Sequence, residues 1–272
     1  MSGEQSLIDR IRRAIPSQPR HAVGAASRLR LGIGDDAALI SPARGLDSVV
    51  TCDSFLEGIH FLPDIHTPDS VGYKSLARAM SDIAAMGATP RFFLLTLALP
   101  ARRTGKWLTK FLAGMSRAAR EYNMVLAGGD VSSHPSIAVS ITVIGEIAPG
   151  ASLLRSGARP GDLIFVSGTL GAAQLGLQLI RRGLHRQKRW EPLLRQHCFP
   201  AIRIALGKFL AARRLASAAI DLSDGLSTDL ARLCAASRVG ARIFRERIPA
   251  VAVPAQLRAR EFDPIAFALH GG

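Results

Sequence analysis

The chain is 272 residues long, 48% hydrophobic and 21% charged, so it can bury ordinary cores in one large or two modest domains and is not dominated by disorder. Its apolar run 91–100 is half the roughly 20 residues a membrane span needs, Glu4 and Asp9 stand where a secretory signal has its apolar core, and Cys52, Cys198 and Cys234 lack zinc-motif or disulfide spacing, so a cytoplasmic protein without a membrane partner is expected. The formal net charge of +14 is mostly arginine on helix-like stretches such as 181–189 (RRGLHRQKR), which lack interleaved aromatics and read as a solvated basic face rather than a specific nucleic-acid site.

In chain order, hydrophobic periodicity predicts a helix over 5–15, a strand over 48–52, a helix over 70–86, a strand over 92–99 and a helix over 105–122. Strands follow over 124–127, 137–147 and 163–167, helices over 172–182 and 201–212, a strand over 218–221 and a helix over 227–236. This mixture points to an α/β or α+β protein. The sharpest break is 149–161 (PGASLLRSGARPG), whose glycines and prolines oppose continuation of either neighbour. It divides the chain into an N-terminal domain, 1–149, and a C-terminal domain, 150–272. Trp107 falls on a helix-like face and reads as core.

Five segments place an aspartate at the end of an apolar run, beside small residues or on a helix end: GIGDDA (32–37), TCDS (51–54), SDIAAM (81–86), GGDV (128–131) and IDLSDGL (220–226). Taken singly, each aspartate reads as a helix cap or turn residue that satisfies free backbone N–H groups. Asp224 is less ordinary, because Asp221, Ser223 and Asp224 sit within one turn. Carboxylates that converge repel one another unless cations neutralise them, and hard oxygen ligands select Mg2+ or Ca2+. Mg2+ held this way completes its shell with water and substrate phosphates, which points to nucleotide chemistry. Neither a P-loop nor the protein-kinase set is present, so Gly128 and Gly129 are the candidates for bringing backbone N–H groups to phosphate.

The ordered set GIGDDAALI, DSFLEGIHF, YKSLARAMSDIAAMGATP, LAGGDVSS, ITVIGEI, RSGARPGDLIFVSGTLG and AAIDLSDGLSTDLARL resembles the thiamine-monophosphate kinases, from about Gly32 onward. The resemblance implies a fold like that of aminoimidazole ribonucleotide synthetase: an N-terminal α/β domain that pairs with a second copy into a shared dimer barrel, and a C-terminal α+β domain. It implies Mg2+-dependent transfer of the ATP γ-phosphoryl group to thiamine monophosphate. The family's metal positions fall on Asp36, Asp53, Asp82, Asp130, Asp221 and Asp224, with Thr51 and Cys52 flanking Asp53. Its ATP positions fall on Gly129, Asp130, Arg155 and Ser223, a substrate contact falls on His60, and Asp130 and Asp224 are expected to carry catalysis. Asp35 competes with Asp36 for the first metal position. The acceptor phosphate is already largely anionic at neutral pH, so no general base is needed and no Ser/His/Asp or Cys/His set is expected.

Two features depart from the family pattern. Cys52 stands where a hydroxyl is usual, so a metal contact there would use its backbone carbonyl. The chain also stops at Gly272, where relatives continue with an acidic and aromatic substrate-holding segment, so weaker substrate binding and exposed apolar surface are expected. Two other readings stand beside the kinase: another ATP-using enzyme of the superfamily, and a basic, non-catalytic polyanion-binding protein.

Overall fold

The computed structural model describes residues 3–16, 28–33, 37–41, 43–258 and 262–271. Its centre is a four-stranded open sheet of β3 (Asp47–Leu56), β4 (Thr89–Leu99), β5 (Val125–Ser133) and β6 (Ala138–Ile147), in the order β3-β6-β4-β5. β6 pairs antiparallel with β3 and β4, while β4 and β5 run parallel. A parallel pair needs a crossover, and α3 (Lys106–Glu121) supplies it.

The helices α2 (Pro68–Ala85) and α3 cover one face of the sheet. Along β3 the side chains alternate, with Val49, Thr51, Asp53 and Phe55 less exposed than their neighbours. The same alternation sends Leu95 and Leu97 of β4 and Val139, Ile141 and Val143 of β6 into the core with Leu76, Met80, Phe111 and Met115. α2 starts on Pro68 with Asp69 in its first turn, and the chain leaves it through Gly87 at φ +75°. α2 and α3 cross at glycines: a Cβ on Gly72 would lie 2.0 Å from the Phe111 carbonyl oxygen, and one on Gly114 would lie 1.9 Å from that of Asp69. Trp107 is buried and stacks on Phe111, with ring centroids 5.3 Å apart.

The other face is partly covered by β1 (Leu29–Leu31) and β2 (Leu39–Ile40), an antiparallel pair packed on Phe92, Val125 and Ala127. Arg28 and Arg91 both bind the buried Glu146 carboxylate there, Arg28 Nη2 at 2.7 Å and Arg91 Nε at 3.2 Å. Beyond that cover the face carries Cys52, Ser54, Thr96, Asp130, Ser140 and Thr142.

After β6 the chain is helical: α4 (Ala172–Arg181), α5 (Glu191–Cys198), α6 (Ile204–Arg213), α7 (Leu226–Ser237), α8 (Ala255–Arg258) and α9 (Pro264–His270). α1 (Gly3–Ala14) packs on α3 and β5. The strands expected over 163–167 and 218–221 do not form, so the expected C-terminal α+β domain shows helices and a single Leu170–Ala250 bridge among the described residues. An apolar run becomes a strand only where a neighbour accepts its ladder, and here Leu163 and Phe165 stand 80% and 85% exposed. Residues 219–221 instead line a cleft, tied back by the Ala219 N–H to the Leu154 carbonyl at 2.8 Å.

Candidate active site

The cleft is built where β3 meets α2. Thr51 and Asp53 are two apart on β3 and share its inner face, while Arg78 and Asp82 are four apart on α2 and share one helix face. Thr51 Oγ1 donates to Asp82 Oδ2 at 2.6 Å, and Arg78 Nε lies 3.5 Å from Asp53 Oδ2. Each carboxylate is thus aimed by a neighbour on the facing element. The turn after β3 adds His60, whose Nδ1 accepts the Leu56 N–H at 2.9 Å while its ring stacks on Phe55. Burial and then the Arg78 charge hold its pKa below the ordinary imidazole value, so the ring is neutral at pH 7 with its hydrogen on Nε2.

The opposite wall comes from the C-terminal half. A cleft of about 480 Å3 is lined by Thr51 and Asp82 on one side and by Leu153, Arg155 and Asp221 on the other. Burial and then the Asp82 charge push the Asp221 carboxyl above its usual range, while a hydrogen bond from Ser81 and the Arg155 guanidinium pull it back. Two carboxylates 139 positions apart therefore repel each other across one cleft. Arg155 is exposed, and its carbonyl accepts from Ser237 Oγ at 2.7 Å. Ser223 and Asp224 follow Asp221 in an exposed loop, where Asp224 Oδ2 accepts from Arg232 Nη1 at 2.5 Å.

The remaining expected residues lie elsewhere. Asp130 pairs with Thr96 and Thr96 with Ser140, a row whose side chains point away from α2 and α3. Cys52 joins that row, its Sγ 3.4 Å from Ser140 Oγ, so its thiol points away from Thr51 and Asp53. Gly129 precedes Asp130 at φ +152°, where a Cβ would stand 1.9 Å from the Leu95 carbonyl oxygen. Asp35 and Asp36 lie outside the described residues. Among the described residues no three His, Cys, Asp or Glu side chains come together as a metal cage. Strand alternation sends Asp53 and Asp130 to opposite faces, and Arg78 and Arg232 already pair with Asp53 and Asp224. Asp229, which sequence reasoning passed over, is buried beneath the Ser223–Asp224 main chain. Its only sequence signal is its place five residues after Asp224 in the SDGLSTD run.

A family model described as AIR synthase related protein, N-terminal domain, matches residues 34–147, and its C-terminal counterpart matches 159–267. The thiamine-monophosphate kinase of Bacillus subtilis is 37% identical over 227 residues, covering 82% of this chain and 70% of that protein. That of Escherichia coli K12 is 40% identical over 228 residues, covering 82% and 69%. This chain belongs to the thiamine-monophosphate kinase family. The crystal structure of the thiamine-monophosphate kinase from Stenotrophomonas maltophilia K279a superposes with a TM-score of 0.83 at 36% identity, covering 98% of this chain and 82% of that one. AaThiL complexed with AMPPCP and TMP superposes at 0.77 with 33% identity, covering 88% and 76%.

For a thiamine-monophosphate kinase fold the donor set is apt. The cleft offers carboxylate and hydroxyl oxygens, which suit a hard divalent cation, and a cation between Asp82 and Asp221 would relieve their repulsion. The buried histidines form a separate pair, His66 Nε2 to His197 Nε2 at 3.1 Å, beneath α5 and away from these carboxylates. Among the described residues no helix is long and apolar enough to cross a membrane.

Proposed function

We propose that this protein transfers the γ-phosphoryl group of ATP to the phosphate of thiamine monophosphate, releasing thiamine diphosphate and ADP, with Mg2+ bound at the cleft between α2 and the 219–224 segment. The observation that carries the reading is the pair Asp82 and Asp221, two carboxylates from opposite halves of the chain that line one cleft. Asp36, Asp53 and Asp224 are assigned as further cation ligands, Asp130, on the opposite face of the sheet, to a cation outside this cleft, Thr51 as the group that aims Asp82, and Cys52 as a backbone contact at most. Gly129, Asp130, Arg155 and Ser223 are assigned to the nucleotide, and His60, neutral and packed on Phe55, to the acceptor. When bound, divalent cations supply charge neutralisation, so that two polyanions approach in line. The chain's own residues then have a positioning task. Arg155 offers a planar donor fork suited to phosphate oxygens, and Asp130 and Asp224 fix where charge is balanced during transfer.

The division into domains 1–149 and 150–272 places the two walls of the cleft in different domains. A homodimer fits the open polar sheet face, which carries Asp130 and the exposed Val50 and is bounded by the outer strands β3 and β5. A second copy's sheet laid against it would close a barrel and cover those edges. Calorimetric titration with AMPPCP tests the nucleotide assignment: tight binding is expected with Mg2+ and weak binding in chelator. Equal affinity in both conditions contradicts it.

A further inference from the structure

The loop over 221–225 has no regular structure, yet it carries three of the assigned side chains, so something must hold it. Asp229, in the first turn of α7, is 1% exposed. Its Oδ2 accepts the N–H of Ser223 at 2.8 Å and the N–H of Asp224 at 2.9 Å. Its Oδ1 accepts Arg232 Nη1 at 3.0 Å, and the same nitrogen reaches Asp224 Oδ2. An ordinary cap would satisfy N–H groups inside its own helix. These bonds run backward, to the two residues before Gly225.

That direction has a chemical consequence. With both N–H groups taken, the loop cannot serve as an anion nest made of amides, and what it presents outward is the side chains of Ser223 and Asp224. The far end of the loop is fixed as well. Gly225 sits at φ +102° with no room for a Cβ, which would lie 2.6 Å from the Leu269 carbonyl oxygen, and Ser227 Oγ donates to that oxygen at 2.6 Å.

We propose that Asp229 is a positioning residue for the phosphoryl-transfer site: its buried carboxylate holds the Ser223–Asp224 main chain so that Asp221 and Asp224 are presented together to a divalent cation. The proposal rests on the reading of that loop as cation-binding. Like other groups that orient ligands from behind, Asp229 is expected to act on affinity. Mn2+ binding, followed by electron paramagnetic resonance on the nucleotide-free protein, tests it directly. Asp229→Ala is expected to weaken Mn2+ by about 10- to 100-fold. Asp229→Asn, whose single amide oxygen can take both N–H bonds, is expected to recover most of that loss. An Asp229→Ala protein that is folded and binds Mn2+ like wild type overturns the proposal alone, whereas wild-type protein that binds no Mn2+ overturns the cation reading and the proposal with it. Should Asp229→Ala not fold, amide exchange of wild type decides. Protection of the Ser223 and Asp224 N–H groups before Mn2+ is added is expected, and protection that appears only with Mn2+ overturns the proposal.

Discussion

Asp82 disfavours the charge on Asp221, so removing the Asp82 charge should help the fold while ruining the chemistry. Asp221 titrates above its usual range because of burial and then the Asp82 charge. A carboxyl whose folded pKa is raised contributes stability that is full below the unfolded pKa, near 4, and lost as pH rises through the folded value. Asp82→Asn removes the like charge, so its melting temperature should exceed that of wild type at pH 8 and match it near pH 3.5. Thermal melts across that range check the sign. Turnover in the same variant should fall about 100- to 1,000-fold, the scale seen when one preorganised electrostatic partner is lost. His60, held neutral, should leave the affinity for the acceptor flat between pH 7 and 8. A sharp change in the acceptor's KM within that window would remove His60 from the contact.

At the scale of elements, α2 is the plate on which the site is mounted. Its close approach to α3 depends on Gly72 and Gly114, which leave no space for a methyl group. Gly114→Ala should therefore cost about 1–3 kcal/mol in chemical denaturation, the usual range for overpacking. Because the crossing sets where Asp82 points, Gly114→Ala should also lower turnover. Much of this framework is legible in the sequence. The alternation over 48–52 and 137–147 and the long amphipathic runs of α2 and α3 each match one period. The sequence predicts a strand only over 124–127, whereas parallel pairing to β4 carries β5 through Ser133. The run 163–167 differs from expectation for the converse reason, since strand-forming residues without a partner form no strand. The Asp82–Asp221 pair joins residues far apart in the chain: both segments stand out in the sequence, and only the tertiary fold brings them to one cleft. Asp229 was hidden because, in sequence, it is one more polar residue in a helix.

The polar side of the sheet, with Val50 62% exposed on its edge strand, is where a second copy is expected to dock. Sedimentation velocity should give twice the 29.0 kDa chain mass, and Val50→Arg should shift it toward one chain. The account as a whole rests on phosphoryl transfer to a phosphate acceptor, and one assay addresses it. Protein incubated with γ-labelled ATP, thiamine monophosphate and Mg2+ should move the label into thiamine diphosphate, and Asp82→Asn should not. Label released only as inorganic phosphate, or transferred equally well without divalent cation, would contradict it.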